Sequence, residues 1–262
     1  MCKKWGLLSI LLFLPVFLYS AFLQLPSSAV IAANANISIF DSSSASIFYN
    51  PAIVNSASLT ISFHRPFSLS DLKHQNISAS YTSHNLHIAL GLQQFGNAMY
   101  TESTAMMALN YPFTKSITTG ISYRFLQKKV DGFANKNAHQ LDTGIKIELN
   151  KFSFATSFLN LSFSKLGKEI LPQECRNSVS YSLYNNLEIA MSLVKEMSYP
   201  FSFHFATSYK PFSILRLSSG FQTEPHTFSA GVGIKIYKAT FSYAIHVNKI
   251  LKETHYLSLQ YP

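Results

Sequence analysis

From about Ser56 to Tyr261, bulky apolar residues alternate with small polar ones in segment after segment. A period of two marks β-strands with one greasy and one polar face. Phe201-Ser202-Phe203-His204-Phe205, Ala230-Gly231-Val232-Gly233-Ile234-Lys235-Ile236 and Phe241-Ser242-Tyr243-Ala244-Ile245-His246-Val247 show it most clearly. What the greasy face touches decides the fold.

A soluble β-sandwich dresses its outer faces in Lys, Glu and Thr, and globular chains carry about 25% charged residues. This chain carries 13%. Its polar faces consist of Ser, Thr, Gly, Ala and Asn with isolated His, Arg, Lys and Glu, which suits a crowded polar lumen with lipid outside. The expectation is an all-β fold, a transmembrane antiparallel β-barrel, with a secreted sandwich as the competitor.

Strand candidates centre on Ile61, Ala79, Ala89, Ala108, Ser122, Ile145, Ala155, Ser180, Ala190, Phe205, Leu217, Val232, Tyr243 and Leu257. That is about fourteen, an even number, as a bacterial single-chain barrel needs. Longer connections, near residues 65–74, 95–102, 129–136, 164–175, 195–199, 223–225 and 248–253, alternate with tight turns. The first strand therefore runs outward, and both ends of the barrel lie on the periplasmic side. The longest connection is expected to hold one helical turn, at Lys165 to Leu171. Tyr111, Tyr123, Tyr209, Tyr237 and Tyr261 fall near strand ends, where interfacial aromatics belong or where they serve as ordinary strand residues.

Lys3 and Lys4 precede an apolar stretch from Trp5 to about Leu23, the layout of a secretory signal peptide, assigned to residues 1–21. Cleavage after Ser20 or Ala21 is expected, with Ala33-Asn34-Ala35 as another small-residue site and an uncleaved anchor helix as the other outcome. Removing Lys3 and Lys4 from 21 basic residues leaves 19 against 12 acidic ones, a net charge of about +7. These charges are dispersed, without the clustered basic and stacking residues that a nucleic-acid partner requires. Cys175 is then left without a partner, a bystander expected in a loop.

No catalytic motif stands out: G-x-S-x-G, H-E-x-x-H and the phosphate-binding loop are missing, and Gly231-Val232-Gly233 lacks the third glycine of a dinucleotide site. The nine histidines are scattered, which favours lumen hydrogen bonding over metal ligation. No enzyme activity, cofactor or metal is expected. Asp142, Lys146 and Glu148 share one face of a strand, within reach of Arg124 on the strand before. They set ion preference, hold a lumen segment, or merely neutralise one another.

Residues 22–55 show no clean alternation, and residues 56–262 form the barrel. Some thirty residues of small side chains ahead of an exported barrel are expected to fill its lumen as a plug, with a disordered periplasmic tail as the alternative. Asn50 is expected to bond otherwise unpaired backbone and Pro51 to fix a turn. Phe22-Leu23, Pro26-Ser27-Ser28-Ala29 and Asp41…Ala45…Phe48-Tyr49-Asn50-Pro51-Ala52 carry a resemblance to the PorV/PorQ family of outer-membrane barrels, within the FadL-like superfamily. Leu171-Pro172, Arg176, Tyr181 and the stretch from Leu215 to Tyr261 extend it, while Ala32-Ala33-Asn34-Ala35-Asn36 replaces the family's glycine-rich stretch.

The resemblance implies an outer-membrane location and a structural plug built on Asp41, Phe48, Tyr49, Asn50, Pro51 and Ala52. It further implies a docking role in type IX-like protein export, with secretion components or exported proteins as partners beside outer-membrane lipid. A FadL-like channel for small hydrophobic solutes is the alternative. Short outside loops and a polar inner face weigh toward docking.

Overall fold

The computed structural model describes residues 21–84 and 86–262, so the expected signal peptide, apart from Ala21, lies outside the described residues. Fourteen strands close into one barrel. The first seven are β1 (Ser58–His64), β2 (Lys73–Ser83), β3 (Leu86–Gly96), β4 (Tyr100–Pro112), β5 (Ile117–Val130), β6 (Lys136–Leu149) and β7 (Phe152–Leu159). A separate hairpin follows, β8 (Lys165–Leu166) and β9 (Glu169–Ile170). The wall resumes with β10 (Glu174–Tyr184), β11 (Leu187–Glu196), β12 (Ser202–Phe212) and β13 (Leu215–Gln222). It ends with β14 (Thr227–Ile236), β15 (Ala239–Asn248) and β16 (Thr254–Tyr261).

Closure comes from β1 pairing antiparallel with β16, Leu59 opposite Tyr261 through His64 opposite Tyr256. A closed ladder leaves no unpaired strand edge, which is what allows β-structure to stand in hydrocarbon. The alternation places Phe203, Phe205, Phe241, Tyr243 and Leu257 on the exposed outer face and Ser202, His204, Ala206, Ser242 and Ala244 inside. An exposed greasy belt around a buried polar lining is the reverse of a soluble protein, and it identifies an outer-membrane β-barrel.

Six tight connections lie on the rim that holds the start of β1 and the end of β16, and the longer ones lie on the opposite, extracellular rim. The longest, residues 160–173, contains the β8–β9 hairpin rather than a helical turn. Gly167 adopts a left-handed φ of 66°, and Leu166 pairs with Glu169 across the two-residue turn, so local turn chemistry favours strand pairing over helix. Cys175 sits on β10, with Asn177 Nδ2 donating to its Sγ at 3.5 Å, and not in a loop. Tyr123 falls in the middle of β5, where its hydroxyl meets His139 Nδ1 at 2.5 Å, while Tyr111, Tyr209, Tyr237 and Tyr261 do sit exposed near the periplasmic rim.

One stretch of wall is unlike the rest. β7 stops at Leu159, and β6 runs on beyond the last pair that it makes with β7, Thr143 opposite Phe158. The connection 160–173 takes over there: Leu161 N–H donates to Leu141 C=O at 2.8 Å, and Leu141 N–H donates to Ser162 Oγ at 3.1 Å. Its Leu166 and Leu171 turn inward and are buried over the lumen.

Candidate functional site

The lumen is filled by residues 21–57, most of them buried, with Leu23, Ser42, Asn55 and Ala57 exposed. The segment begins beneath the extracellular rim, where Ala21 and Phe22 pack with Leu126, Ala138, Leu166 and Leu171. It then forms the short helix α1 (Ala29–Ala33) against β14, β15 and β16. Ser28 caps that helix, accepting from Ile31 N–H at 3.1 Å. The chain crosses to Ala155, Ala190 and Ala206 with Ile37 and Ile39, then returns through Ser44–Phe48 past β1, β2 and β3.

The residues expected to build the plug fall into two groups. Asp41 works within the plug, accepting from Ser28 Oγ at 3.0 Å and from Ser43 N–H at 3.0 Å, while its carbonyl accepts from Ser46 Oγ. It ties three turns together. Phe48, Asn50 and Pro51 instead meet the wall, each at a glycine. A Cβ on Gly91 would lie 2.5 Å from Phe48 Cζ, one on Gly144 would lie 1.9 Å from Asn50 Oδ1, and one on Gly120 would lie 2.5 Å from the Pro51 carbonyl carbon.

Asn50 donates from Nδ2 to Thr156 C=O at 2.9 Å and accepts Ala52 N–H on Oδ1 at 2.9 Å. Asn110 Nδ2 reaches back from the wall to Pro51 C=O at 3.2 Å and to Val54 C=O at 2.6 Å. Plug backbone that lies outside regular secondary structure thus finds partners in wall side chains, as buried polar groups must. Ala52 is fully buried beside them.

The four charged residues expected to cluster separate into two pairs. Arg124 Nε bonds Asp142 Oδ2 at 2.5 Å, and Arg124 Nη2 donates to Phe48 C=O at 2.7 Å. Asp142, wholly buried, also accepts from Ser122 Oγ (3.1 Å), Gln140 Nε2 (2.6 Å) and Asn160 N–H (2.8 Å). Lys146 pairs with Glu148 at 2.8 Å nearer the periplasmic rim, on the far side of Gly144. Among the described residues only the first pair hydrogen-bonds the plug, and the two pairs share no ion pair.

A second arm went unread in the sequence. Arg176 on β10 bonds Glu174 Oε1 through Nε at 3.0 Å and Nη2 at 2.8 Å, donates from Nη1 to Asn36 C=O at 2.7 Å, and stacks over Tyr49 at 4.8 Å. Complete burial pushes the Tyr49 hydroxyl pKa above its ordinary value, and the Arg176 charge offsets part of that rise. Three further wall residues hold α1 and its exit. His246 Nε2 lies 2.7 Å from Ala32 C=O, Ser229 Oγ donates to Ala33 C=O at 3.1 Å, and His204 Nδ1 lies 2.6 Å from Ala35 C=O. The available signal was an isolated His, Arg or Ser on an otherwise small-residue inner face.

Above the plug lies a cavity of about 40 Å³, bounded by apolar Phe22, Leu23, Leu25, Phe95, Leu126 and Leu159 and by polar Gln24, Gln93, Glu102, Thr104, Arg124, Gln140, Glu174 and Glu196. A water needs about 10–15 Å³ by this measure, so the space takes roughly three. Below the plug, Lys210, Arg216 and Lys235 converge from three neighbouring strands on a cavity of about 100 Å³ at the periplasmic mouth. None of the three makes an ion pair among the described residues. The arrangement is a plugged barrel with a recess of mixed polar and apolar lining outside and a basic mouth inside. Among the described residues no three His, Cys, Asp or Glu side chains gather as a metal set.

Comparison with solved structures finds outer-membrane barrels of similar fold. A structure titled CymD monoaromatic hydrocarbon channel aligns over 92% of this chain and 98% of its own, with TM-score 0.69 and 9% identity. The Ralstonia pickettii toluene transporter TbuX aligns over 89% and 97%, with TM-score 0.63 and 11% identity. A Pseudomonas aeruginosa FadL homologue aligns over 90% and 98%, with TM-score 0.63 and 8% identity. At such identities the likeness concerns the fold. No protein-family model and no curated protein matches the sequence.

Proposed function

We propose that this barrel is a plug-gated outer-membrane channel for small hydrophobic solutes. The supporting observation is a lumen-filling plug whose apolar side chains line its seam with the wall, beneath an extracellular recess of mixed polar and apolar lining. An apolar solute gains by leaving water for such a surface. Inside the barrel the plug supplies the apolar surface that the polar wall lacks: Ile31, Ile47, Phe48 and Val54 pack with Ala89, Met106 and Ala108. A solute moving along the seam between plug and wall would meet these side chains. That fold-level neighbours include proteins titled toluene transporter and monoaromatic hydrocarbon channel favours the same solute class.

A docking role in protein export, the PorV/PorQ-like reading, is favoured by one observation, the plugged lumen. A scaffold needs no open path. One experiment separates the two. Cells lacking the gene take up radiolabelled toluene several-fold more slowly than the parent and display surface proteins normally if the protein is a channel. Normal uptake with surface proteins trapped in the periplasm would sink the channel and favour docking.

A further inference from the structure

We propose that processing cuts the chain between Ala21 and Phe22, and that the new α-ammonium of Phe22 docks on Glu102, locking the head of the plug beneath the extracellular rim.

Phe22 N–H already donates to Glu102 Oε2 at 2.9 Å, across 80 residues of sequence. Glu102 is buried, and its other oxygen accepts from the Tyr100 hydroxyl. No Lys, Arg or His pairs with it among the described residues, and the neighbouring Lys128 is engaged with Glu169 at 3.2 Å. A carboxylate buried with neutral donors alone is poorly compensated. An ammonium at the Phe22 nitrogen would bring three donors and the missing charge to a distance already within bonding range.

Backbone geometry points to the same bond. Phe22 has φ 64°, in the left-handed region that bulky residues rarely enter. That angle is defined by the carbonyl carbon of Ala21, and it ceases to exist once the bond is cut. A cut after Ser20 would put the charge one residue away from the nitrogen that Glu102 holds. A cut after Ala35 would remove α1, whose carbonyls engage His246 and Ser229. The step is an ordinary hydrolysis by the export peptidase. Water supplies hydroxyl to the Ala21 carbonyl and a proton to the Phe22 nitrogen, which takes a second proton from solvent. The inference is independent of what the barrel transports.

Mass spectrometry of the protein extracted from outer membranes tests the cut: Phe22 is the expected first residue, and any other first residue overturns the proposal. Labelling with an amine-reactive ester, read on the N-terminal peptide, tests the docking. The Phe22 amine of the folded barrel should react at least tenfold more slowly than after heat unfolding, and Glu102→Gln should restore roughly tenfold of that rate while Tyr100→Phe does not. Gel mobility of the unheated samples verifies that each barrel is folded. Equal reactivity in folded and unfolded wild type refutes the lock, with no variant needed, and so does a folded Glu102→Gln that reacts as slowly as wild type.

Discussion

Gly144→Ala should unseat the plug without disturbing the wall. The added methyl would lie 1.9 Å from Asn50 Oδ1 and 3.2 Å from Pro51 Cδ, so Asn50 must move. Moving it gives up the bonds to Thr156 C=O and from Ala52 N–H, at about 1 kcal/mol each. Residual crowding adds about 1–3 kcal/mol. The seated plug therefore loses about 3–5 kcal/mol, or roughly 10²–10⁴-fold in its closed-to-open ratio. Native-state hydrogen exchange on peptides spanning 44–57 reads that ratio directly, with barrel peptides as the internal reference. Asn50→Ala removes the obstructing amide, so the double variant should exchange much like Asn50→Ala alone, because the two residues share one contact. Additive effects, or exchange at 44–57 unchanged by Gly144→Ala, would refute this contact as the plug's seat.

Arg124→Ala should leave Asp142 buried without its ion, lowering barrel stability by about 3–5 kcal/mol, seen as loss of the fast-migrating unheated band at a lower temperature. His246→Ala and His204→Ala should each loosen α1 by about 1 kcal/mol, raising exchange near residues 29–36 while leaving residues 44–57 unchanged. Phe205→Lys, on the lipid face opposite Met191 in the middle of β11, should cost about 2–4 kcal/mol, measurable by reversible unfolding in lipid vesicles.

The barrel was legible because a period of two is a local property: each of the fourteen expected centres falls within a wall strand of the structure, and the even count requires no long-range information. The 160–173 connection was less so, since Lys165 to Leu171 suits a helical turn until Gly167 and the inward packing of Leu166 are known. The functional interior divides along the same line. Asp41 and Asn50 signal themselves as turn-forming residues, but the wall partners of the plug lie 14 to 229 positions away, beyond any local pattern. Gly91, Gly120 and Gly144 carry no local signal of their role, although each abuts two plug residues. Arg176 looked like any isolated lumen charge, because Asn36 and Tyr49 come to it only through the fold.

The most direct measurement reconstitutes the purified barrel into lipid vesicles and follows entry of toluene into a trapped aqueous reporter, comparing wild type with Gly144→Ala. A plug-gated channel predicts entry above protein-free vesicles for wild type and several-fold faster entry for the unseated plug. Rates equal to those of protein-free vesicles for both proteins, with the barrels shown to be folded and inserted, would contradict it.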